Sequence, residues 1–372
     1  MKKLLEASNN HKVIVIGPYP PPYGGVATFI KNLMNQDAIS RYYNLKLYET
    51  GKKSKKVPTI IQAIIEIYLI IKYFSLSEFK NINIFHIHTA SYWSFLRNIP
   101  YILISKHFSD GKVILHIHGG NFHIFFKKSP AIIKKIIKLS FKNSDCIIVT
   151  SPVWITIIKK ICTECNHIYS ISNGFDPEII YPIPKERARE LLNLPKDKKI
   201  LLSIGHLEDF KGHKYLLESL KNIGKDRSNI AAYIIGTGSL KENLNRLIGE
   251  FKLEKVCFLA GEKDHSNEIP LWINACDIFV LPSLAEGNPT VMFECLGCGK
   301  PFIGTKVGGI PDIITSEEYG FLVEPANSKD LTEKIITALD KEWNNKKILE
   351  YSQQFTWENI ANQILKIYRT SL

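Results

Sequence analysis

The sequence has no uninterrupted apolar run long enough to cross a bilayer. Its longest apolar stretch, 59–74, is broken by Gln62, Glu66 and Lys72 and falls short of the roughly 20 residues a spanning helix needs. The start, Met1-Lys2-Lys3-Leu4-Leu5-Glu6, carries two lysines but no sustained apolar segment, so neither a signal peptide nor a membrane span is expected. No G-x-S-x-G, H-E-x-x-H or P-loop pattern occurs, which removes the common hydrolases, zinc proteases and NTPases. Nor is there a G-x-G-x-x-G turn; the lone Gly236-Thr237-Gly238 is too little to support a nicotinamide dehydrogenase. Low-complexity tracts and short-period repeats are also missing. The seven cysteines are an odd number spread over a long chain, as in reduced, cytosolic proteins. The Cys162/Cys165 and Cys295/Cys298 pairs lie 130 residues apart, against about 15–20 between the halves of a zinc ribbon.

Acidic residues are scarce in one half only. Residues 1–180 hold 23 Lys and Arg against 10 Asp and Glu, a net of +13, and residues 181–372 hold 25 against 26, a net of −1. The overall +12 therefore belongs to the first half. An anionic membrane surface, nucleic acid and a phosphorylated substrate are the partners such a charge suits, while a solvated lysine-rich surface explains it without any partner. The 372 residues, 45% hydrophobic and 23% charged, suit two globular domains.

Short β-branched runs alternate with helical patterns throughout, the mark of βαβ units and parallel sheets. Strands are expected at 12–16, 83–88, 112–116, 145–150 and 167–172, then at 199–204, 230–235, 256–259, 277–281 and 301–304. Each half opens alike, with Lys-Val-Ile-Val-Ile-Gly at 12–17 and Lys-Ile-Leu-Leu-Ser-Ile-Gly at 199–205. The fold class is therefore α/β, with two Rossmann-like doubly wound domains facing a cleft. The proline-spaced connector at 181–185 divides an N-terminal domain, 1–180, from a C-terminal one, 181–354.

Several segments carry chemistry. Gly24-Gly25 precedes a helical pattern at 27–34, where backbone N–H groups approach a phosphate or sugar; an ordinary βα turn reads the same way. In 281–294, Glu286-Gly287-Asn288-Pro289-Thr290 follows a buried strand. Asn288 and Pro289 fit an N-cap and first turn, so a helix should begin there and offer an anion site. Glu286 and Glu294 would be repelled by a diphosphate and suit sugar hydroxyls better. Lys211, in the loop that begins at Gly205-His206 and precedes a helix at 215–220, is a compact cation for a diphosphate, or a surface lysine. His116 and His118 share one side of a strand end and Gly119-Gly120 leave that loop open; His86 and His88 alternate likewise. With no acidic residue beside either pair, packing or cleft-lining is expected rather than metal binding. Along 130–142, Ile132, Ile133, Ile136, Ile137 and Phe141 fall on one side and Lys134, Lys135, Lys138 and Lys142 largely on another. Together with the lysines at 52–56, this pattern suits anionic lipid, or a core-packed helix with a solvated face.

Taken together these residues resemble the family-4 (group 1) retaining glycosyltransferases of GT-B fold. The resemblance runs from Val13 to about Leu339. It rests on Gly24-Gly25-Val26, His118-Gly119, Ser172-Asn173-Gly174-Phe175-Asp176, Gly205-x5-Lys211-Gly212 and Glu286-x7-Glu294. Gly299-Lys300-Pro301, Val307-Gly308-Gly309-Ile310-Pro311-Asp312 and Gly320-Phe321-Leu322-Val323 also match. It implies a nucleoside-diphosphate sugar as donor, with Glu286 on the transferred sugar, Glu294 on the ribose and Lys211 on the diphosphate. Backbone at Gly205 and from Gly287 to Thr290 would line the donor. His118 would line the reaction centre, Gly24–Gly25 would close over it, and Asn173 would stand at the domain junction. One position departs from the pattern: His206 stands where the family usually has Arg, which would grip a diphosphate bidentately at any pH. The resemblance further implies no cofactor or metal, and a last segment, 355–372, crossing back onto the first domain. The expected activity is transfer to a lipid-linked or glycan acceptor by a cytoplasmic protein peripheral on the inner face of the cell membrane, with no nucleic-acid partner. The competing readings are a soluble glycosyltransferase acting on a small acceptor, a sugar-nucleotide epimerase of the same fold, and an inactive basic membrane- or nucleic-acid-binding protein.

Overall fold

The computed structural model describes residues 11–21, 24–51, 59–76, 79–223 and 229–372; the lysines at 52–56 lie outside them. The chain forms two compact units, Met1–Asn173 with Trp357–Leu372, and Gly174–Thr356.

The N-terminal unit is built on six parallel strands, β1 (His11–Gly17), β2 (Tyr43–Glu49), β3 (Ile84–Thr89), β4 (Lys112–Ile117), β5 (Cys146–Val149) and β6 (Ile168–Ser170), in the order β2-β1-β3-β4-β5-β6. Its helices are α1 (Gly25–Met34), α2 (Asp37–Ser40), α3 (Thr59–Phe74), α4 (Trp93–Phe108), α5 (Phe122–Lys128), α6 (Ala131–Lys142) and α7 (Pro152–Ile161). β3 and β5 are buried along their whole length, which is why β5 reads as a continuous apolar run, while β3 carries His86 and His88 into the interior. One face of the sheet packs on α3 to α7 through Tyr73, Phe95, Phe122 and Phe141. The other face packs on α1, α2 and the C-terminal helix, Trp357–Ser371, whose Trp357, Ile360, Ile364 and Tyr368 recur at the helical period.

The C-terminal unit carries β7 (Lys199–Ile204), β8 (Ile230–Ile235), β9 (Cys257–Gly261), β10 (Ile278–Leu281), β11 (Phe302–Thr305) and β12 (Gly320–Val323), parallel and in the order β12-β11-β10-β7-β8-β9. Its helices are α8 (Lys185–Leu191), α9 (His213–Ile223), α10 (Lys241–Glu250), α11 (Ile269–Ala275), α12 (Thr290–Gly297), α13 (Ile310–Ile313), α14 (Ser328–Asp340) and α15 (Asn345–Ser352). Asp277 ties this unit together, accepting from Arg189 Nη2 at 2.6 Å, Lys185 Nζ at 3.0 Å and the Ile200 N–H at 2.7 Å. Burial alone would raise its pKa, but the Ile200 N–H and Lys185 outweigh that and hold it below its usual value.

The ten expected strands appear, β7 and β8 with the expected ends and the others with ends shifted by at most two residues. Two strands escaped the sequence reading. β2 and β12 are edge strands, and β2 reads as polar because Asn44, Lys46 and Glu49 sit where one flank is solvent. The helix at 131–142 also differs from its expected pattern. Ile132, assigned to the packed side, is 63% exposed, and the buried stripe is Ile137, Ser140 and Phe141. Among the described residues no helix is long and apolar enough to cross a membrane.

Candidate functional site

In the C-terminal sheet β7 and β10 are neighbours, and the chain leaves β7 toward β8 and β9 but leaves β10 toward β11 and β12. At such a switch point the loops at the carboxyl ends diverge and open a crevice. Two of the expected residues meet there. Lys211, in the loop after β7, places Nζ 2.6 Å from Oε1 of Glu286, in the loop after β10. Ser283 Oγ donates to the same oxygen at 2.7 Å.

Backbone contacts hold this pair. The Leu284 N–H donates to Phe210 O at 2.7 Å, and Gly212, at φ +64°, leaves so little room that a Cβ would lie 2.1 Å from Pro282 O. On the other flank, Gly308, at φ +56°, faces Glu286 O, where a Cβ would come to 2.1 Å, and the Gly309 N–H donates to Gly287 O at 2.8 Å. Only glycine tolerates both that backbone conformation and that approach. The side chains of Lys211 and Glu286 are 12% and 9% exposed, so the pair is largely stripped of water and its charge-assisted bond is strong. An arriving anion competes for Lys211, and the displaced carboxylate is then an acceptor for hydroxyls. His213, at the start of α9, is buried and its pKa falls to about 4, first through desolvation and then through the charge of Lys211.

Helix α12 begins at Thr290, with Pro289 (φ −70°, ψ 121°) as the extended residue before it and no side chain capping it. The sequence reading put the cap at Asn288 and Pro289 inside the first turn; the helix starts later because Pro289 keeps an extended ψ. Asn288 and Pro289 are buried, whereas Gly205, Gly287 and Thr290 are half-buried and His206 is exposed. Glu294, in the middle of α12 and buried, lies 2.8 Å from His265 Nε2. Sequence reasoning missed His265. It stands 29 residues before Glu294, in the loop between β9 and α11, and only the tertiary fold brings the two together.

In the N-terminal unit the four strand-end histidines form one cluster. His118 Nε2 lies 3.0 Å from His88 Nδ1, His86 Nε2 lies 3.3 Å from His116 Nδ1, and His86 Nδ1 lies 2.7 Å from the Tyr368 hydroxyl. Phe29 stands edge-on to His116 and His118, with centroids at 4.8 Å. Desolvation lowers all four pKa values, to about 3 for His86 and His118 and well below 6.5 for His88 and His116, so the imidazoles are neutral. His116, read as lining an open loop, is instead fully buried, and His118 is half-buried. The sequence reading kept the two pairs apart from metal chemistry. The structure brings ligand atoms of His86, His88 and His116 within 4.8 Å of one another. No carboxylate belongs to that group, so a dication held there would lack an anionic partner.

Gly24 and Gly25 are exposed at the start of α1, and a Cβ on either meets nothing within 4 Å. Asn173 is buried at the last position of this part of the N-terminal unit. The four lysines read as one solvated face differ among themselves. Lys135 and Lys138 are exposed, Lys134 is half-buried with Nζ 6.0 Å from the Phe126 ring centre, and Lys142 pairs with Glu164 at 2.8 Å. A separate cavity of about 570 Å³ is lined by Lys199, Asp277 and Lys300, at the opposite ends of β7 and β10 from Lys211 and Glu286. The buried Lys300 and the half-buried Asp277 are bonded within the fold, which marks that cavity as structural.

Residues 184–355 match the model of the group 1 glycosyl transferases. An uncharacterised glycosyltransferase of Methanocaldococcus jannaschii is 27% identical over 96% of this chain and 97% of its own. The N,N'-diacetylbacillosaminyl-diphospho-undecaprenol α-1,3-N-acetylgalactosaminyltransferase of Campylobacter jejuni is 29% identical over 78% of each. Among solved structures, HepE from Anabaena in complex with UDP superimposes with a TM-score of 0.76 at 17% identity, covering 96% of this chain and 100% of that one. With two parallel α/β units and a switch-point site in the matched region, the chain has the GT-B fold, and its residues 184–355 are similar to the group 1 glycosyltransferases.

Proposed function

We propose that the protein moves a sugar from a nucleoside-diphosphate donor to a lipid-linked or polysaccharide acceptor at the cytoplasmic face of the cell membrane, with retention at the anomeric carbon and without a bound metal. The observation that carries the donor half is the Lys211–Glu286 pair at the β7/β10 switch point. As donor enters, Lys211 turns to the diphosphate and Glu286, released, accepts hydrogen bonds from the hydroxyls of the transferred sugar. Glu294 exchanges His265 for the ribose hydroxyls. The N-terminus of α12 and Lys211 stabilise the charge that grows on the departing diphosphate. The bond from the anomeric carbon to the β-phosphate oxygen breaks and a bond to the acceptor oxygen forms on the same face. The leaving phosphate takes the acceptor's proton. His118, held by His88, lines the reaction centre, the α1 N-terminus at Gly24–Gly25 covers the sugar, and Asn173 and His206 contact the donor. The undecaprenol-linked acceptor in the name of the Campylobacter relative and the UDP bound by HepE support the acceptor class and the donor class in turn.

A thermal-shift panel of UDP, GDP, ADP and their sugar conjugates tests the donor site. Ligand at about 100 times its Kd should stabilise by roughly 2.7 kcal/mol, and Glu294→Ala should abolish the response. A protein that responds to none of these nucleotides would overturn the donor assignment. NMR of the product anomer tests retention, and transfer undiminished by a chelator tests metal independence.

A further inference from the structure

Helix α3 is built inside out. Its acidic residue, Glu66, is 6% exposed and faces Arg97 Nη1 at 4.0 Å, and Tyr73, seven residues on, is buried with its hydroxyl 2.5 Å from Ser105 Oγ. The opposite stripe holds Ile61, Ile64, Tyr68 and Ile71, flanked by Ile67 and Phe74, and all six are at least half exposed, Ile64 and Ile71 by 61% each. Of nineteen exposed large apolar side chains among the described residues, seven lie on this one helix. Phe108, at the end of α4, extends the patch, its ring 5.0 Å from that of Phe74. Single exposed apolar residues are ordinary, but a continuous stripe of this kind marks an interaction surface.

The surrounding charge identifies the partner. Helices α3 to α7 cover one face of the sheet and contain eleven Lys and Arg but one acidic residue, the inward-facing Glu66. Lys72 on α3, Lys127 and Lys128 on α5, and Lys135 and Lys138 on α6 are exposed, beside the exposed Ile132 and Leu139. A second copy of the chain would set lysines against lysines on a self-complementary interface. An apolar stripe beside Lys72, on a sheet face whose helices expose cations and no carboxylate among the described residues, instead matches the boundary between anionic headgroups and acyl chains. At 16 residues α3 is about 24 Å long, too short to span the hydrocarbon core and suited to lying in the plane of the interface.

We propose that α3 is a membrane-docking helix. Its isoleucine stripe enters the headgroup boundary of an anionic bilayer, and the lysines of α3, α5 and α6 supply the electrostatic attraction. This moves the apolar anchor from α6, where the sequence pattern pointed, to α3. It deepens the membrane-face reading above and needs neither donor nor acceptor, so it is tested without either.

The test is co-sedimentation of the full chain with vesicles of equimolar phosphatidylcholine and phosphatidylglycerol, against pure phosphatidylcholine. The wild type should bind the mixed vesicles and bind neutral ones far more weakly. Ile64→Ser combined with Ile67→Ser and Ile71→Ser should weaken mixed-vesicle binding at least about tenfold. These residues are exposed, so the thermal midpoint should not fall. As an independent readout of insertion, Ile67→Trp should give a blue shift of fluorescence on adding mixed vesicles. Equal binding of the triple variant and the wild type, no binding of the wild type to either vesicle, or a wild-type dimer that the triple variant dissociates would each overturn the proposal. A failed glycosyltransferase reading would look different: vesicle binding would persist while no nucleotide gave a thermal shift.

Discussion

Lowering the pH from 7 to about 5.5 should destabilise the N-terminal unit much more than the C-terminal one. An unfolded imidazole titrates near 6.5, whereas His86, His88 and His116 are fully buried with pKa values pushed far down by desolvation. Above 6.5 both folded and unfolded chains hold these groups neutral and no stability is lost. Below 6.5 the unfolded chain takes up protons that the folded chain refuses, so stability falls with pH until the folded pKa values, near 3 for His86, are reached. Between pH 7 and 5.5 each such histidine costs about 1.3 kcal/mol, and each further pH unit costs about 1.4 kcal/mol more. Three together remove about 4 kcal/mol, a large share of the roughly 5–15 kcal/mol of a typical domain. Among the described residues the C-terminal unit has one comparable group, His213, with a pKa near 4. Scanning calorimetry across this range, with limited proteolysis to assign the transitions, should show the N-terminal transition moving down ahead of the other. His116→Asn removes one titrating group and should flatten the N-terminal slope by about 1.4 kcal/mol per pH unit, whatever it does to stability at pH 7. If the two transitions moved in parallel, or if His116→Asn left the slope unchanged, the assignment of buried neutral imidazoles would be wrong.

Three further outcomes follow from the C-terminal unit. Lys211→Ala should cut kcat/KM by about a hundredfold or more, because it removes the side-chain cation bonded to Glu286 in the switch-point site; steady-state kinetics would read it, and near-normal turnover would refute the role. Gly308→Ala meets a left-handed backbone and a contact of 2.1 Å to Glu286 O, so it should weaken nucleotide binding in the thermal-shift assay while far-UV circular dichroism stays native. Arg189 is buried and donates to Asp277 and to the carbonyls of Ala275 and Lys198. Arg189→Ala should therefore cost about 3–5 kcal/mol in urea denaturation, and the double variant with Asp277→Asn should cost less than the two single losses added.

How far the site could be read depended on where its chemistry was local. Gly205 to Gly212 and Glu286 to Glu294 are continuous segments at strand ends, so backbone period and residue type marked them without any contact information. His265 carried no such mark, because a lone histidine in a polar loop looks the same whether or not it reaches a carboxylate 29 residues away. The lone Gly236-Thr237-Gly238 acquired its reason from packing: a Cβ on Gly236 would lie 2.0 Å from Gly205 O, so a neighbouring loop, not a nucleotide, accounts for that glycine. The cluster of four histidines was half legible, since alternation put each pair on one side of its strand. Register then set His88 beside His116 and buried both.

The sequence by itself determined the α/β class, ten of the twelve strands, the two-part charge distribution and the loops that carry Lys211, Glu286 and Glu294. These properties are written in short-range periodicity and composition, which depend on the backbone and on solvent. The tertiary structure alone decided which faces of the helices meet solvent and which partners cross the sheets. Periodicity shows that a helix has two unlike faces but not which of them the core takes. In α3 the core took the face with Glu66, because Arg97 and the packing around Tyr73 were there to receive it, and left the isoleucines outside.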